Sequence, residues 1–480
     1  MLRDRDQDTI CAVSTPAGIG GLAVIRVSGP GAIEISQRIA PFLPKKLESH
    51  RAYYGICYQT LPGFQRGAEI DEVIATYFQS GKSFTGEDTI EISCHGSPYI
   101  TQTFLKELVQ IGARMADRGE FTYRAFMNGR IDLVQAEGVL ALIESQSQNS
   151  ARQALRQLQG SLSQQLEKHE DNLTWCLAHL EASIDFSTEG LEVVTDAELV
   201  RRTSEMVVGL QILVQSFRAG RILKDGYRLV LTGAPNVGKS SLLNLLVGEE
   251  KAIVTEIAGT TRDLIEASFF AGGTKVNLID TAGLRDSEDR VEKIGIERSY
   301  AAQKEADGLF YLFDLHQGLT TYDISALNSL DPGHLFLIGN KKDLTAGGPE
   351  AWISRLQKSL AGSEFLQKIQ NSEQFWKQRV LFISALDHNE GENLKRVIAG
   401  DLENKKFEDQ AVIFQARHFE NLSRALENLI RAKELIEQSA SAEFIALEMK
   451  ETLLLLQETL GKRFDDQIMD RVFKEFCIGK

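Results

Sequence analysis

The sequence predicts a multidomain chain of α/β and α+β class, in which a parallel-sheet domain is inserted into a helical bundle and an α+β domain precedes both. Three observations predict it. β-rich runs broken by glycine fill residues 1–122, such as Gly21-Leu22-Ala23-Val24-Ile25-Arg26-Val27 and the stretch from Glu69 to Phe78. Apolar residues at three-and-four spacing then run from about 131 to 183 and from about 196 to 223, and the same periodicity resumes after residue 402. Between them, from Tyr227 to about 400, short apolar runs alternate with amphipathic segments, the pattern of a parallel sheet covered by helices on both faces.

At 480 residues the chain has room for about three domains of ordinary size. Hydrophobic residues at 43% and charged residues at 25% are average usage for globular proteins and exclude a disordered chain. Met1-Leu2-Arg3-Asp4-Arg5-Asp6 lacks the apolar stretch of a signal peptide. No uninterrupted apolar run is long enough to span a bilayer, so a soluble cytoplasmic protein with no membrane contact is expected. Cys11, Cys57, Cys94, Cys176 and Cys477 form no CxxC pair and are expected as free thiols. The net charge of −14 disfavours nonspecific attraction to polyanions, so any RNA contact must be local.

The elements follow in order. Leu133, Ala136, Glu137, Leu140 and Ala141, then Leu155, Leu158 and Leu162, then Leu173, Leu177 and Leu180 share helical faces, and no proline interrupts them. Tyr227 to Gly233 reads as a strand ending in a glycine turn and opens the inserted domain. Gly347-Gly348-Pro349 reads as a surface turn. Beyond the insertion, Ile413 to about Gln438, Ala442 to Leu460 and Asp465 to Phe476 predict three more helices. The expected domains are 1–122 for the N-terminal α+β part, 123–223 for the first helical part, 224–402 for the insertion and 403–480 for the second helical part with its cysteine tail.

Gly233-Ala234-Pro235-Asn236-Val237-Gly238-Lys239-Ser240 matches G-x-x-x-x-G-K-[ST] between a predicted strand and a helix opened by Ser241. Glycines let backbone N–H groups surround phosphates, Lys239 supplies a cation to the β/γ oxygens, and the Ser240 hydroxyl suits Mg²⁺. Downstream, Asp280-Thr281-Ala282-Gly283 ends a second strand, with an Asp for the outer shell of the metal and a Gly facing the γ-phosphate. Asn340-Lys341-Lys342-Asp343 follows a buried strand, and Asp343 can accept from N1–H and the exocyclic amine of guanine, which adenine lacks. Ser384-Ala385-Leu386 offers backbone N–H groups to the guanine carbonyl. Together these predict a Ras-like P-loop domain that binds GTP. The loop Thr255-Glu256-Ile257-Ala258-Gly259-Thr260-Thr261 fits a switch, with Thr261 joining Mg²⁺. Leu284 follows Gly283 where Ras-like enzymes carry a water-orienting glutamine, so hydrolysis needs another water-positioning group and another positive charge.

These motifs, with Ser14-Thr15-Pro16-Ala17-Gly18-Ile19-Gly20-Gly21, Ser83-Phe84-Thr85-Gly86-Glu87-Asp88, Gly119-Glu120-Phe121-Thr122 and Phe476-Cys477-Ile478-Gly479-Lys480, make the chain resemble the MnmE (TrmE) family of tRNA modification GTPases over nearly its whole length. The resemblance implies a folate-binding-like N-terminal domain, a helical domain and an inserted G domain. It implies K⁺ in place of an arginine finger, held by Asn236, Thr255, Ile257 and Thr260, with Glu292 positioning water. It implies two G domains meeting across a homodimer, and a reduced folate, 5-formyl- or methylene-tetrahydrofolate, at Arg26, Glu91, Arg130 and Lys480. His95-Gly96-Ser97, Arg118 and Arg130 depart from the family pattern, where Gly, Pro and Lys are usual.

By that resemblance the chain, with the FAD-dependent flavoprotein MnmG (GidA) in a heterotetramer or larger complex, adds an aminomethyl or carboxymethylaminomethyl group at C5 of the wobble uridine of tRNA. The competing reading is a regulatory or ribosome-assembly GTPase without modification chemistry. Its usual marker is an appended basic RNA-binding module, which this acidic chain does not display. Cys477 is expected in the modification chemistry, as nucleophile, acid or folate contact, against the plain alternative of a thiol packing the last helix.

Overall fold

The computed structural model describes residues 7–63, 65–185, 196–248, 267–280, 303–369, 372–403, 411–463 and 466–479. By its contacts the chain forms two compact units, one of Met1–Ile143, Ala154–Gln211 and Glu420–Lys480, the other of Glu144–Gln153 and Ile212–Phe419.

The first unit opens with β1 (Ile10–Val13), β2 (Gly20–Ser28), β3 (Arg51–Leu61), β4 (Gln65–Phe78), β5 (Thr89–Gly96) and β6 (Arg114–Met115), in a sheet of order β3-β4-β5-β2-β1-β6. Helices α1 (Ala32–Ile39) and α2 (Pro98–Gln110) pack on it. Alternation decides the faces: Ala23, Ile25 and Val27 of β2 and Ile90, Ile92 and Cys94 of β5 are buried in the core with Phe104 and Leu108. Arg26 and Glu91 therefore share the opposite face, directly across the antiparallel pair.

The helices that follow are α3 (Glu120–Met127), α4 (Leu133–Glu144), α5 (Gln148–Leu158), α6 (Ser161–Asp185) and α7 (Asp196–Asp225). By length and composition Ala197–Asp225 could cross a membrane, one 18-residue window of it having a mean hydropathy of 1.2. Arg, Glu, Gln and Gly interrupt its apolar residues, so it contains no uninterrupted apolar run. Within the protein, Leu199, Thr203, Met206, Leu210 and Leu213 form a buried stripe at alternating four-and-three spacing, which is how a helix packs in a bundle.

The second unit carries β7 (Tyr227–Gly233), β8 (Ala267–Ala271), β9 (Thr274–Asp280), β10 (Gly308–Asp314), β11 (Leu335–Asn340) and β12 (Val380–Phe382), in the order β12-β11-β10-β7-β9-β8. β10 and β11 are buried along their whole length, as continuous apolar strands of a parallel sheet are. All pairings are parallel except one: β8 runs antiparallel to β9. The expected parallel sheet thus has one antiparallel edge strand, turned back by the tight Gly272-Gly273 hairpin, both glycines having positive φ. The helices are α8 (Lys239–Val247), α9 (Thr321–Ser329), α10 (Pro349–Ser359), α11 (Glu364–Lys368), α12 (Glu373–Gln378) and α13 (His388–Glu403). Gly347-Gly348-Pro349 is more than a turn: Gly348 caps α10 and Pro349 is its first residue, where a missing N–H costs nothing.

The chain closes with α14 (Ala416–Glu437), α15 (Ala442–Leu460) and α16 (Asp466–Lys474). α6 and α15 pack together, tied by Gln457 Nε2 and Lys462 Nζ to the Glu170 carboxylate at 3.0 and 2.6 Å. Helical sequence from before and after the inserted sheet thus shares one core.

The two strands of chain at the edge of the α/β unit are clamped. Residues 413–415, expected as the start of a helix, lie outside it, and the helix begins at Ala416; here Ile413 N–H donates to Ser216 Oγ at 3.1 Å and Phe419 stacks on Phe217 at 4.4 Å. A β-carbon on Gly220 would collide with the Ile413 carbonyl oxygen. Gly220→Ala is therefore expected to destabilise the chain by about 1–3 kcal/mol, since neither backbone can yield cheaply. Chemical denaturation measures it; an unchanged midpoint would show that the crossing relaxes.

Candidate nucleotide site and N-terminal pocket

β7 delivers the chain to the phosphate loop. Gly233 has φ 137° and Gly238 φ 99°, and a β-carbon on either would collide, with the Leu312 carbonyl oxygen and with Asn340 Nδ2 respectively. Gly238 caps α8, so the unpaired N–H groups of the first helical turn, with exposed Ser240 and Ser241, open the loop toward an anion. Lys239 Nζ donates to the carbonyls of Gly233 and Ala234 at 3.1 and 2.8 Å, which holds the ammonium inside the loop.

Asn340 joins two loops of the site. Its side chain is buried; Nδ2 donates to the Val237 carbonyl at 2.8 Å and Oδ1 accepts from the Ala385 N–H at 3.0 Å. It therefore joins the phosphate loop to the Ser384-Ala385-Leu386 loop. Lys342 N–H donates to the Ile383 carbonyl at 3.0 Å, and its ammonium pairs with Glu390. Asp343 is exposed beside this clamp, and Leu344 and Leu386 are exposed apolar side chains suited to the faces of a planar base.

Lys341 sits in the left-handed region at φ 66°, and its Nζ pairs with Asp314 Oδ2 at 2.8 Å. Asp314 and Glu390 were missed in the sequence. The available signal was a lone charge ending the wholly buried β10, on the strand-end edge where ligands of α/β sheets bind. Burial pushes the Asp314 carboxyl up, but bonds from Lys341 and from the N–H groups of Gln317 and His316 outweigh it and hold the group below its ordinary value.

Thr255, Glu256, Ile257, Ala258, Gly259, Thr260, Thr261, Thr281, Ala282, Gly283, Glu292 and Lys480 lie outside the described residues, as does the side chain of Asp280, whose backbone ends β9 opposite Leu231. Asn236 is exposed at φ 60° on the phosphate loop, and its amide is uncommitted among the described residues, which fits a carbonyl-type oxygen donor to K⁺. The Ser240 hydroxyl fits Mg²⁺ in the same sense.

In the N-terminal domain Arg26 and Glu91 meet at 2.7 Å, and the guanidinium lies over the rings of Phe84 and Phe121 at 5.8 and 5.4 Å. Arg130 is exposed and its stem packs 3.2 Å from the place a β-carbon on Gly86 would take. Ser14 Oγ donates to the Gly479 carbonyl at 3.1 Å, Arg118 bridges Ile478, and Gly119 N–H donates to the Cys477 carbonyl at 3.4 Å. The sequence's departure from proline at Arg118 thus lies on the strip that receives the cysteine tail. All five cysteines are free; four are buried and Cys477 alone is exposed.

A glycine loop between strand and helix, locked by a buried asparagine to loops built for guanine, defines a guanine-nucleotide-binding P-loop protein. The model for the MnmE helical domain matches residues 133–477, and that for the GTP-binding protein TrmE N-terminus matches 9–130. The tRNA modification GTPase MnmE of Bdellovibrio bacteriovorus is 55% identical over 482 residues, covering 100% of this chain and 99% of its own. Those of Alkaliphilus metalliredigens and Natranaerobius thermophilus are 37% and 38% identical, covering 98% and 99% of this chain and 99% and 100% of theirs. The chain belongs to the MnmE family of tRNA modification GTPases.

Asp314→Asn keeps the shape and removes the charge that holds Lys341. With Lys341 one-third exposed, the pair is discounted to about 1 kcal/mol, or about fivefold weaker GDP binding. Because the folded carboxyl is depressed, its contribution is present above the ordinary carboxylate range and is lost as pH falls through the folded value. Fluorescent GDP titrations at neutral pH check this; equal affinities would mean that Lys341 needs no such partner.

Proposed function

We propose that the chain is a K⁺-dependent GTP hydrolase that, with the flavoprotein MnmG, modifies C5 of the wobble uridine of certain tRNAs using a one-carbon unit from a reduced folate. The observation that carries this reading is the family match along the full length, on a chain whose phosphate and base loops are tied by Asn340. The division into 1–122, 123–223, 224–402 and 403–480, the cytoplasmic location, the homodimer and tRNA docking belong to the same proposal.

Asn236, with Thr255, Ile257 and Thr260, holds K⁺, which supplies the positive charge an arginine finger would give, while Glu292 positions water where Leu284 cannot. Ser240 and Thr261 hold Mg²⁺. GTP hydrolysis drives a conformational cycle and supplies none of the carbon chemistry. Arg26, Glu91, Arg130 and Lys480 bind the folate: an Arg pairs with its glutamate tail and Glu91 accepts from pterin N–H groups. The Arg26–Glu91 pair between two aromatic rings supports this, since it offers a donor fork, an acceptor and stacking surface on one sheet face. Cys477 serves the modification reaction.

GTP turnover is expected to rise several-fold when K⁺ replaces Na⁺ at fixed ionic strength. Asn236→Ala loses that response while retaining nucleotide binding, and Asn236→Gly, which accepts φ 60° without strain, does the same. Equal rates in the two salts would sink the K⁺ assignment.

Cys477→Ser is expected to abolish wobble-uridine modification in cells while GTP hydrolysis and melting temperature stay at wild-type values. Modified uridine at normal levels in that variant would reduce Cys477 to a surface thiol.

A further inference from the structure

We infer that Asn149 is the positioning residue through which the segment Glu144–Gln153 senses the nucleotide site, by holding the Gly272-Gly273 turn; this rests on the GTPase reading above. By sequence the segment falls between α4 and α5 of the helical stretch, yet its contacts group it with the α/β unit. The bonds responsible converge on one residue. Asn149 N–H donates to the Gly273 carbonyl at 3.1 Å, and Asn149 Nδ2 donates to the Gly272 carbonyl at 2.9 Å and to Thr274 Oγ1 at 3.1 Å. Beside it, Lys275 Nζ donates to Gln146 Oε1 at 2.8 Å. Both protons of one amide are thus spent on one turn.

The turn is well placed to carry a signal. β8 follows in sequence directly after the loop bearing Thr255–Thr261, and β9 runs directly into Asp280-Thr281-Ala282-Gly283. An antiparallel pair joined by two residues, in register from Ala271↔Thr274 to Ala267↔Leu278, moves as one ribbon. The turn is therefore continuous, through one hairpin, with the chain that leads to both loops. β8 is an edge strand with β9 as its one sheet neighbour, so the hairpin is less constrained than the central strands.

The turn itself tolerates little change. Gly272 and Gly273 have φ 53° and 70°; a β-carbon on Gly272 would come within 3.1 Å of Ala399 Cβ on α13, and one on Gly273 within 3.3 Å of Asn149 Nδ2. Thr274, which accepts from Asn149, is buried. Helix α5 starts at Gln148, so Asn149 lies in its first turn, and beyond Gln153 the helix continues into residues of the other unit. A ligand that favours one hairpin position is linked to the state of this helix start, and by reciprocity the helix start biases the loops.

The test is amide hydrogen exchange on the full chain with GDP and with a non-hydrolysable GTP analogue. In the wild type, exchange across residues 147–153 is expected to differ roughly fivefold or more between the two nucleotides. Asn149→Ala, and Asn149→Asp, which keeps the size but cannot donate, abolish that difference while nucleotide affinity and melting temperature stay at wild-type values. Identical exchange of 147–153 with both nucleotides in the wild type overturns the inference, as does a difference undiminished in both variants. Failure of either nucleotide to protect residues 233–240 is a separate result, because it removes the GTPase reading and this inference with it.

Discussion

A single buried amide holds the nucleotide end of the α/β unit together. The Asn340 side chain is buried, so its donor and acceptor need partners, and they find the Val237 carbonyl and the Ala385 N–H. Those two partners follow β7 and β12, and Asn340 itself ends β11, so the amide joins the ends of three parallel strands. Once the amide is satisfied, the spacing between phosphate loop and base loop is set, and Gly238 must be glycine because Asn340 Nδ2 occupies the space of a β-carbon. The first residue of the Asn340-Lys341-Lys342-Asp343 motif is thus a brace. Beside it Asp343 is exposed and Lys341 is paired with Asp314.

Around that brace the α/β unit fixes its polar interior in the same way. Buried Asp307 takes Arg221 Nη2 at 2.7 Å and the Arg228 N–H at 3.1 Å, and Asp401 accepts from Tyr227 Oη at 2.9 Å and from Arg379 at 2.7 Å. Burial and the Asp401 charge raise the Tyr227 phenol well above its ordinary value, so it remains a donor. These pairs tie the start of β7 to β10 and to α13, where an insertion must be anchored. A buried pair of this kind adds little net stability over an apolar pair, but leaving either partner alone is costly, which makes the arrangement specific.

Much of this was legible because strand and helix periods are local. The phosphate loop and its flanking strand, α15 from Ala442 to Leu460, and the sheet strands at Leu335 and Leu381 fall where patterning puts them. What was not legible depends on distant partners. Residues 413–415 were read as helical but precede the helix, where Ser216 and Gly220 lie against Ile413. β8 carries no mark of its antiparallel direction except the two glycines after it. Asp314 looks like one more acid until β10 and β11 are side by side and Lys341 lies opposite it. The Arg26–Glu91 pair is visible only once β2 and β5 are in register.

The cysteine tail shows the same dependence on close approach, with a chemical consequence. An exposed thiol on a fraying segment samples many positions, and effective concentration at any one partner falls accordingly. Here Phe473 and Phe476 are buried, Phe473 packing edge-on against Tyr123 at 5.5 Å, so α16 is anchored just before the thiol. Beyond it Gly479, at φ 92°, lies so near Val13 that a β-carbon would collide with its carbonyl oxygen, and Ser14 Oγ seals the contact. Cys477 is therefore held on both sides while its own side chain stays exposed. Gly119, whose N–H donates to the Cys477 carbonyl, is followed by Glu120 and then by Phe121, the ring under Arg26. One short stretch thus sets the position of the thiol and backs the Arg26–Glu91 pair. The exposed thiol and the Arg26–Glu91 pair are thus placed by the same local backbone, and a shift in Gly119 would displace both.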